Sequence, residues 1–246
     1  TVKVHLWRLY KKLGIKNAVA VIGGSMGGMQ ALCYAIEHPT FAKHYIPMAT
    51  TAYTRPWAIA LNKIAIEAIR HDPNFKNGNY EKDDLKARGL VGLAVGRMAG
   101  LIAYLSPNLF INKFGRDYVE TDGLYELFGR FEIEKYLEHN SYSFPKFFDP
   151  LSYLYICKTI NIFDAGRNKD KLEDSFLKIE GKLHLIAFKD DMLFFPNEME
   201  EIRDIMIKIG KKDQVTFKLV DSSSGHDSFL VEVEKFEEHI KDILKD

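Results

Sequence analysis

Residues 18–29 read AVAVIGGSMGGM, and this stretch decides the fold of the 246-residue chain. The apolar run 19–22 is typical of a buried strand, and a helix-compatible stretch, 29–36, follows the glycines directly. Between them lies the pattern G-x-S-x-G, centred on Ser25. In a strand–turn–helix this pattern is typical of a nucleophilic serine, because the sharp turn holds the hydroxyl above the sheet edge at a helix N-terminus.

The glycines around Ser25 distinguish this turn from other glycine-rich turns. A Cβ beside the strained serine would collide with its neighbours, so we expect Gly23, Gly24 and Gly27 to be required by lack of space. A phosphate-binding loop is the alternative, but a P-loop ends in Gly-Lys-Ser/Thr and this stretch contains no lysine. The dinucleotide pattern G-x-G-x-x-G also fails, because Ser25 stands where its second glycine would be.

Charge and composition limit the classes of partner. Basic and acidic residues number 34 each, so nothing indicates a nucleic-acid partner. Apolar residues make up 46% of the chain, which is enough for a sizeable core. Cys33 and Cys157 are too few for a disulfide framework, and we predict that they are buried thiols of a cytoplasmic protein.

The stretch 89–105 contains a single charge, Arg97, and must be compared with a transmembrane helix. It is at the short limit for a span, and an arginine near the middle of a span is costly. The prediction is therefore a buried helix, with no membrane partner.

Strands and helices alternate at both ends of the chain, and a helical block lies between them. This layout predicts an α/β fold with a mostly parallel sheet and an inserted helical lid. The predicted domains are a core segment at 1–55, the lid at 56–165 and a second core segment at 166–246. Predicted strands are 18–23, 43–48, 183–188 and 215–220, and predicted helices are 2–13, 27–38, 57–70, 83–105, 131–139, 150–163, 197–209 and 228–244.

A serine hydroxyl needs a base, and the base needs an orienting acid. Residues following later strands supply these groups in the order Ser, Asp or Glu, His. His226 is the one histidine in a loop after a late strand, so it is the candidate base. Either Asp190 or Asp191, directly after strand 183–188, would be the acid.

Arg97 is the second informative residue, because a buried guanidinium is costly unless it is paired. A structural ion pair is one interpretation, and a clamp for a substrate carboxylate is the other. Tyr104 lies two turns along the same helix face, and Asp227 directly follows His226. Together, a cation, a hydroxyl and a carboxylate would suit a zwitterionic amino acid.

At this point the motifs match a known family across nearly the whole chain. The sequence resembles the homoserine O-acyltransferases, also described as homoserine O-acetyltransferases, which form an α/β-hydrolase branch of methionine biosynthesis. The matching stretches are AVIGGSMGGMQAL at 20–32, AIRHDPN at 68–74, YLS at 104–106, KFGR at 113–116, FEIEKYL at 131–137, SYLY at 152–155, DMLF at 191–194 and GHDSFL at 225–230.

The resemblance implies an acyl transfer from acetyl-CoA or succinyl-CoA to the hydroxyl of L-homoserine, with no bound cofactor or metal. It implies Ser25 as nucleophile, His226 as base and Asp191, through its Asp-x-Leu-Phe motif, as the acid. Arg97, Tyr104 and Asp227 would hold homoserine. The alternatives are a serine esterase or thioesterase with the same triad, and a chain that keeps the motif without turnover.

One departure from the family is large. The nucleophile strand of an α/β-hydrolase is central and several strands precede it, whereas about a dozen residues precede it here. The resemblance thus implies that early strands, and a loop supplying one oxyanion-hole amide, are missing from this chain. The Met26 amide would supply the other donor, and uncovered sheet edge is expected. Further implied partners are a separate N-terminal segment and a second copy that pairs through the lid helices.

Overall fold

The computed structural model describes residues 8–9, 11–81, 90–120, 125–167 and 169–245. The chain divides into two compact units. We call Thr1–Thr54 with Phe163–Asp246 the α/β unit, and Arg55–Ile162 the helical unit. Each unit has its own hydrophobic core.

The α/β unit is built on one sheet of four strands in the order β1-β2-β3-β4. The strands are β1 (Ala18–Gly24), β2 (Ala42–Met48), β3 (Lys182–Phe188) and β4 (Val215–Val220). Every neighbouring pair is parallel, and Gly24 lies opposite Met48 in the register. The predicted α/β fold with a parallel sheet is therefore confirmed.

The helices follow the same chain order. They are α1 (Met26–Glu37), α2 (Pro56–His71), α3 (Val91–Tyr104), α4 (Pro107–Phe114), α5 (Glu132–Ser143), α6 (Pro150–Asn161), α7 (Leu172–Phe176), α8 (Pro196–Lys208), α9 (Ser228–Val231) and α10 (Glu237–Ile243). Helices α1 and α8 cover one face of the sheet through Leu32, Ala35, Met199 and Ile202. Helix α10 and Phe236 cover the other face over Ile46, Ile186 and Phe188. Because both faces are covered, Lys43 in β2 and Lys182 in β3 are the single exposed residues of these two strands.

Strand β1 forms one edge of the sheet. Within the described ranges, its ladder partner is β2 and its other edge has no strand beside it. Val19 is 60% exposed and Ile22 is 45% exposed, although valine and isoleucine are among the residues most often buried in folded proteins. An uncovered edge with apolar side chains agrees with the expectation that further strands of the fold lie outside this chain.

The helical unit is held together by a close crossing of α2 and α3. A Cβ on Gly92 would lie 2.1 Å from the carbonyl oxygen of Ala68, and a Cβ on Gly96 would lie 3.0 Å from the Cβ of Ala65. The buried Asp72 carboxylate joins the two helices, because it accepts hydrogen bonds from the amides of Asn74 (2.8 Å) and Gly92 (2.7 Å). It thereby caps α3 at its N-terminal end.

No single helix in the described part of the chain is long and apolar enough to cross a membrane. Helices α3 and α4 reach the length and hydropathy of a membrane span only when they are taken together, and the chain bends by 100° between them. The predicted helix 83–105 begins in residues 83–89, which lie outside the described residues, and its remainder is α3.

The predicted C-terminal helix, 228–244, is wrong in its continuity. The structure has α9, a 3-10 turn at Val233–Lys235 and α10 in its place. Helical backbone is interrupted at Glu232 (φ −120°, ψ 41°) and at Phe236 (φ −138°, ψ −5°). Both side chains make contacts outside the helix, since Phe236 packs on Phe188 and Glu232 binds the loop after β4. Tertiary contacts thus override the helical periodicity.

Smaller differences concern helix ends and short helices. The helix predicted at 131–139 continues to Ser143, before the 3-10 turn Phe144–Lys146 that contains Pro145. The short helices α4 and α7 were not predicted. Of the helix predicted at 2–13, residues 8–9 and 11–13 are helical, and the other residues of that range lie outside the described ones.

Candidate active site

Ser25 occupies a strained turn between β1 and α1. Its backbone has φ 56° and ψ −121°, which is unfavourable for a residue with a Cβ. Three hydrogen bonds hold it there: the Ser25 amide donates to the Met48 carbonyl (2.9 Å), and the Ser25 carbonyl accepts from the Met29 amide (3.1 Å) and the Thr50 hydroxyl (2.9 Å). The support therefore comes from the end of β2 as well as from α1.

The glycines around Ser25 fit this turn for different reasons. A Cβ on Gly23 would lie 2.2 Å from the carbonyl oxygen of Gly27, and a Cβ on Gly24 would lie 2.4 Å from the ring of Phe229. A Cβ on Gly28 would lie 2.7 Å from Thr50. The expectation is wrong for Gly27, whose own Cβ would meet nothing within 4 Å. Gly27 contributes to the crowding only as a neighbour, because its backbone carbonyl is the group that a Cβ on Gly23 would strike.

The structure brings Ser25, His226 and Asp191 together, although the sequence separates the first two by 201 positions. The Nε2 atom of His226 lies 2.8 Å from the Ser25 hydroxyl oxygen, and its Nδ1 atom lies 2.9 Å from Oδ2 of Asp191. The other Asp191 oxygen accepts the amides of Leu193 (2.9 Å) and Phe194 (3.0 Å). Held by these amides, the Asp191 carboxylate in turn fixes the orientation of the His226 ring, whose other nitrogen faces the Ser25 hydroxyl.

His226 and Asp191 are 3% and 2% exposed, respectively, whereas Ser25 is only partly covered. Edges of Phe194 and Phe229 flank the imidazole at 5.5 and 5.8 Å between ring centroids. Surroundings of low polarity strengthen the hydrogen bonds that link Asp191, His226 and Ser25. The other candidate acid, Asp190, has φ 65° in the turn between β3 and Asp191.

Met26 and Asp227 flank this hydrogen-bonded chain. Met26 is the first residue of α1, so its N–H is among the amides that lack a partner within the helix. An amide at this position, next to Ser25, is the kind of donor that the predicted oxyanion hole needs. Asp227, half-buried, ends the 3-10 turn Gly225–Asp227.

Arg97 and Tyr104 lie on one face of α3 in the helical unit, as the spacing predicts. The Arg97 guanidinium carbon is 5.4 Å from the Tyr104 ring centroid and 5.0 Å from that of Phe144. Two aromatic faces thus stabilise the cation. Burial, together with the Tyr104 hydroxyl, raises the pKa of Tyr153, which also lies in this unit.

Sequence reasoning missed two residues that support Ser25 and His226. Thr50 supports the Ser25 carbonyl, and Phe229 packs against both Gly24 and His226. Nothing in the sequence near Thr50 indicates its contact with Ser25.

The cysteines are unpaired: Cys157 is buried, which raises its pKa to about 11, and Cys33 is partly covered rather than fully buried. The described residues contain no group of three or more His, Cys, Asp or Glu side chains that could hold a metal ion.

Residues 1–233 match the model of the alpha/beta hydrolase fold family. The chain belongs to this family. Among curated relatives of this alpha/beta hydrolase, the homoserine O-acetyltransferase of Nautilia profundicola is 55% identical over 237 residues, and that of Geobacter sulfurreducens is 39% identical over 236 residues. These matches cover 96% of this chain but 64% and 62% of the relatives, so the chain spans less than two thirds of their length. The predicted resemblance is confirmed.

Solved structures show the same fold over the whole chain. A homoserine O-acetyltransferase from Bacillus anthracis superimposes with a TM-score of 0.89 at 23% identity, covering 100% of this chain and 64% of that one. Esterase E22 superimposes with a TM-score of 0.87 at 26% identity, covering 99% and 65%. An acyltransferase and an esterase therefore share this alpha/beta hydrolase architecture.

Proposed function

We propose that this chain is the catalytic part of an acyl-CoA-dependent homoserine O-acyltransferase that works through an acyl-serine intermediate. The observation that carries the proposal is the hydrogen-bonded chain from the Ser25 hydroxyl through His226 to Asp191. The acceptor is inferred from the two curated relatives, which are homoserine O-acetyltransferases. Acetyl-CoA is the preferred donor for the same reason, and succinyl-CoA is the alternative.

In the first half-reaction, Nε2 of His226 takes the Ser25 proton while the Ser25 oxygen attacks the thioester carbonyl of acyl-CoA. The Met26 amide donates to the resulting oxyanion. The C–S bond then breaks, the CoA sulfur takes the proton from His226, and an acyl ester remains on Ser25. Asp191 stabilises the transient imidazolium and keeps Nδ1 protonated.

In the second half-reaction, the homoserine hydroxyl donates its proton to His226 and attacks the acyl ester. The ester bond to Ser25 breaks, and His226 returns the proton to the Ser25 oxygen. We propose that Arg97 binds the homoserine carboxylate, assisted by Tyr104, and that Asp227 binds its ammonium group. The helical unit would act as a lid that excludes water during transfer.

An oxyanion hole needs a second donor, and we propose that a separate N-terminal segment supplies it. The open edge of β1, with its exposed Val19 and Ile22, supports this proposal. Loss of one oxyanion donor typically lowers the rate about 10²–10³-fold. The chain alone should therefore be a much weaker catalyst than the chain supplied with the proposed N-terminal segment.

The test measures O-acetylhomoserine formation from acetyl-CoA and L-homoserine by mass spectrometry. The chain is assayed alone and together with the part of the Nautilia profundicola relative that it does not match. Ser25→Ala should lower the rate by about 10⁴-fold or more, whereas Thr159→Ala, which removes an exposed hydroxyl, should leave it unchanged. Equal rates for Ser25→Ala and the unaltered chain would overturn the proposal.

A serine esterase is the second candidate, because esterase E22 shares the fold at 26% identity. The two activities differ in the acceptor of the acyl group. If acetyl-CoA is consumed at the same rate with and without homoserine, and acetate is the product, the esterase is correct. A transferase should instead need Arg97, so that Arg97→Gln raises the KM for homoserine and leaves acylation of Ser25 unchanged.

A chain without turnover remains a third alternative, and the absence of any acyl-enzyme burst with a chromogenic ester would favour it. A cytoplasmic location and a place in methionine biosynthesis stay predictions. A homodimer through the lid helices also stays a prediction. Tyr142, Phe147 and Tyr155 are among the exposed large side chains of the helical unit that such a pairing would cover.

A further inference from the structure

Glu232 is a buried carboxylate, 7% exposed, at the break between α9 and the 3-10 turn Val233–Lys235. One of its oxygens accepts the amides of Ser223 (3.1 Å) and Ser224 (2.7 Å), and it also contacts the Ser223 hydroxyl at 3.4 Å. Two successive amides that converge on one carboxylate hold that piece of backbone in a fixed orientation. The second of these amides belongs to Ser224, which lies two residues before His226 in the sequence.

Lys235 extends this contact to the start of the same loop. Its ammonium group pairs with the Glu232 carboxylate and donates to the carbonyl of Asp221 at 3.1 Å. The pair therefore binds the loop at Asp221, directly after β4, and again at Ser223 and Ser224. In the same loop, the Ser222 hydroxyl donates to the Lys189 carbonyl (2.8 Å), next to the turn that contains Asp191.

Gly225 lies between the fixed backbone and His226, and its φ is 73°. A glycine gives the chain freedom at this point, so the direction of the imidazole depends on how firmly Ser224 is held. The distance between Nε2 of His226 and the Ser25 oxygen is 2.8 Å, and a displacement of about 1 Å would break this hydrogen bond.

We propose that Glu232, through its hold on Ser223 and Ser224, is a positioning residue that sets His226 against Ser25. The inference rests on the proposed function, because it assumes that His226 is the base. Glu232 does not touch the reacting atoms, and it acts on them through the loop. Burial opposes its ionisation, but hydrogen bonds from Lys235, Ser224 and Ser223 outweigh burial and lower the pKa of the Glu232 carboxyl to about 2. The carboxylate thus stays charged throughout the neutral range.

The test measures the second-order rate at which a fluorophosphonate probe modifies Ser25 in the whole chain. This reaction needs His226 and Asp191 but neither homoserine nor acyl-CoA. Glu232→Ala should lower the rate about tenfold or more, equivalent to about 1.4 kcal/mol. Glu232→Gln, which keeps the volume and one acceptor, should lie in between. Glu234→Gln is the matched control, since it makes the same change on an exposed side chain two residues away and should have no effect.

Hydrogen exchange of the amides of residues 221–226 provides a measure of the loop itself. We expect faster exchange there in Glu232→Ala, with the sheet amides unchanged. If the loop loosens while the probe reacts at the original rate, Glu232 has a structural role only and the inference is overturned. It is also overturned if the unaltered chain does not react, because His226 would then not be an active base. A reactive chain that makes no O-acylhomoserine contradicts the proposed function and leaves the inference standing.

Discussion

Because the backbone of Ser25 is strained, we predict that glycine at this position is more stable than alanine, which is the reverse of their usual order. Ser25→Ala and Ser25→Gly both remove the hydroxyl and its hydrogen bond with His226, so that loss cancels between them. Alanine keeps the Cβ at φ 56°, which costs about 1–3 kcal/mol, whereas glycine adopts this conformation freely. Glycine has a larger entropy loss on folding, about 0.5–1 kcal/mol. Ser25→Gly should therefore be the more stable variant by about 1 kcal/mol.

Asp204 provides the matched control in the same unit. It is exposed within α8, where alanine should be more stable than glycine by about 1 kcal/mol. Urea denaturation followed by circular dichroism gives the free energy of unfolding, and hydrogen exchange of sheet amides reports the α/β unit alone. The reasoning is refuted if alanine is more stable than glycine at both positions. Neither Ser25 variant should react with a fluorophosphonate.

Two further predictions concern stability. The pKa of the Glu232 carboxyl falls from 4.5 to about 2 on folding, so its ionised form stabilises the fold by about 3 kcal/mol above pH 4.5, and this stabilisation is lost as the pH falls towards 2. When urea midpoints are measured against pH, Glu232→Gln should therefore lose less stability than the unaltered chain over this range. An equal loss in the two proteins would contradict the low pKa of Glu232. In thermal denaturation, Gly92→Ala should destabilise the helical unit by about 1–3 kcal/mol, because its Cβ would overlap the Ala68 carbonyl. In the same assay, Val95→Ala on the exposed face of α3 should cost less than about 1 kcal/mol. Equal losses at the two positions would contradict this prediction and show that the crossing of α2 and α3 relaxes freely.

The part of the fold that sequence predicts best is the part fixed by local chemistry. The strand and helix around Ser25 were predicted at 18–23 and 27–38, and the structure has Ala18–Gly24 and Met26–Glu37. Glycines, apolar periodicity and a β-type run all act within a few residues there, so they agree with one another.

The break in the C-terminal helix shows what local patterns leave out. Ser228–Leu244 has helical periodicity, and nothing near Glu232 in sequence indicates that its side chain will cap amides nine and eight positions earlier. Thr50 is a similar case, since its contact with Ser25 spans 25 positions. The Thr50 contact exists only after β1 and β2 have paired and brought the ends of two strands together.

Strand pairing is also why Ser25, Asp191 and His226 could be predicted from the order of the strands. In a parallel sheet the carboxyl ends of all strands lie at one edge, and Ser25, Thr50, Asp191 and His226 each follow a different strand. A shift of one residue between β1 and β2 would move Ser25 by about 3.3 Å and turn its side chain to the other face. The 2.8 Å hydrogen bond to His226 would then be lost. Because β1 is held within this chain by β2 alone among the described strands, the register of that single pairing determines whether Ser25 meets its base.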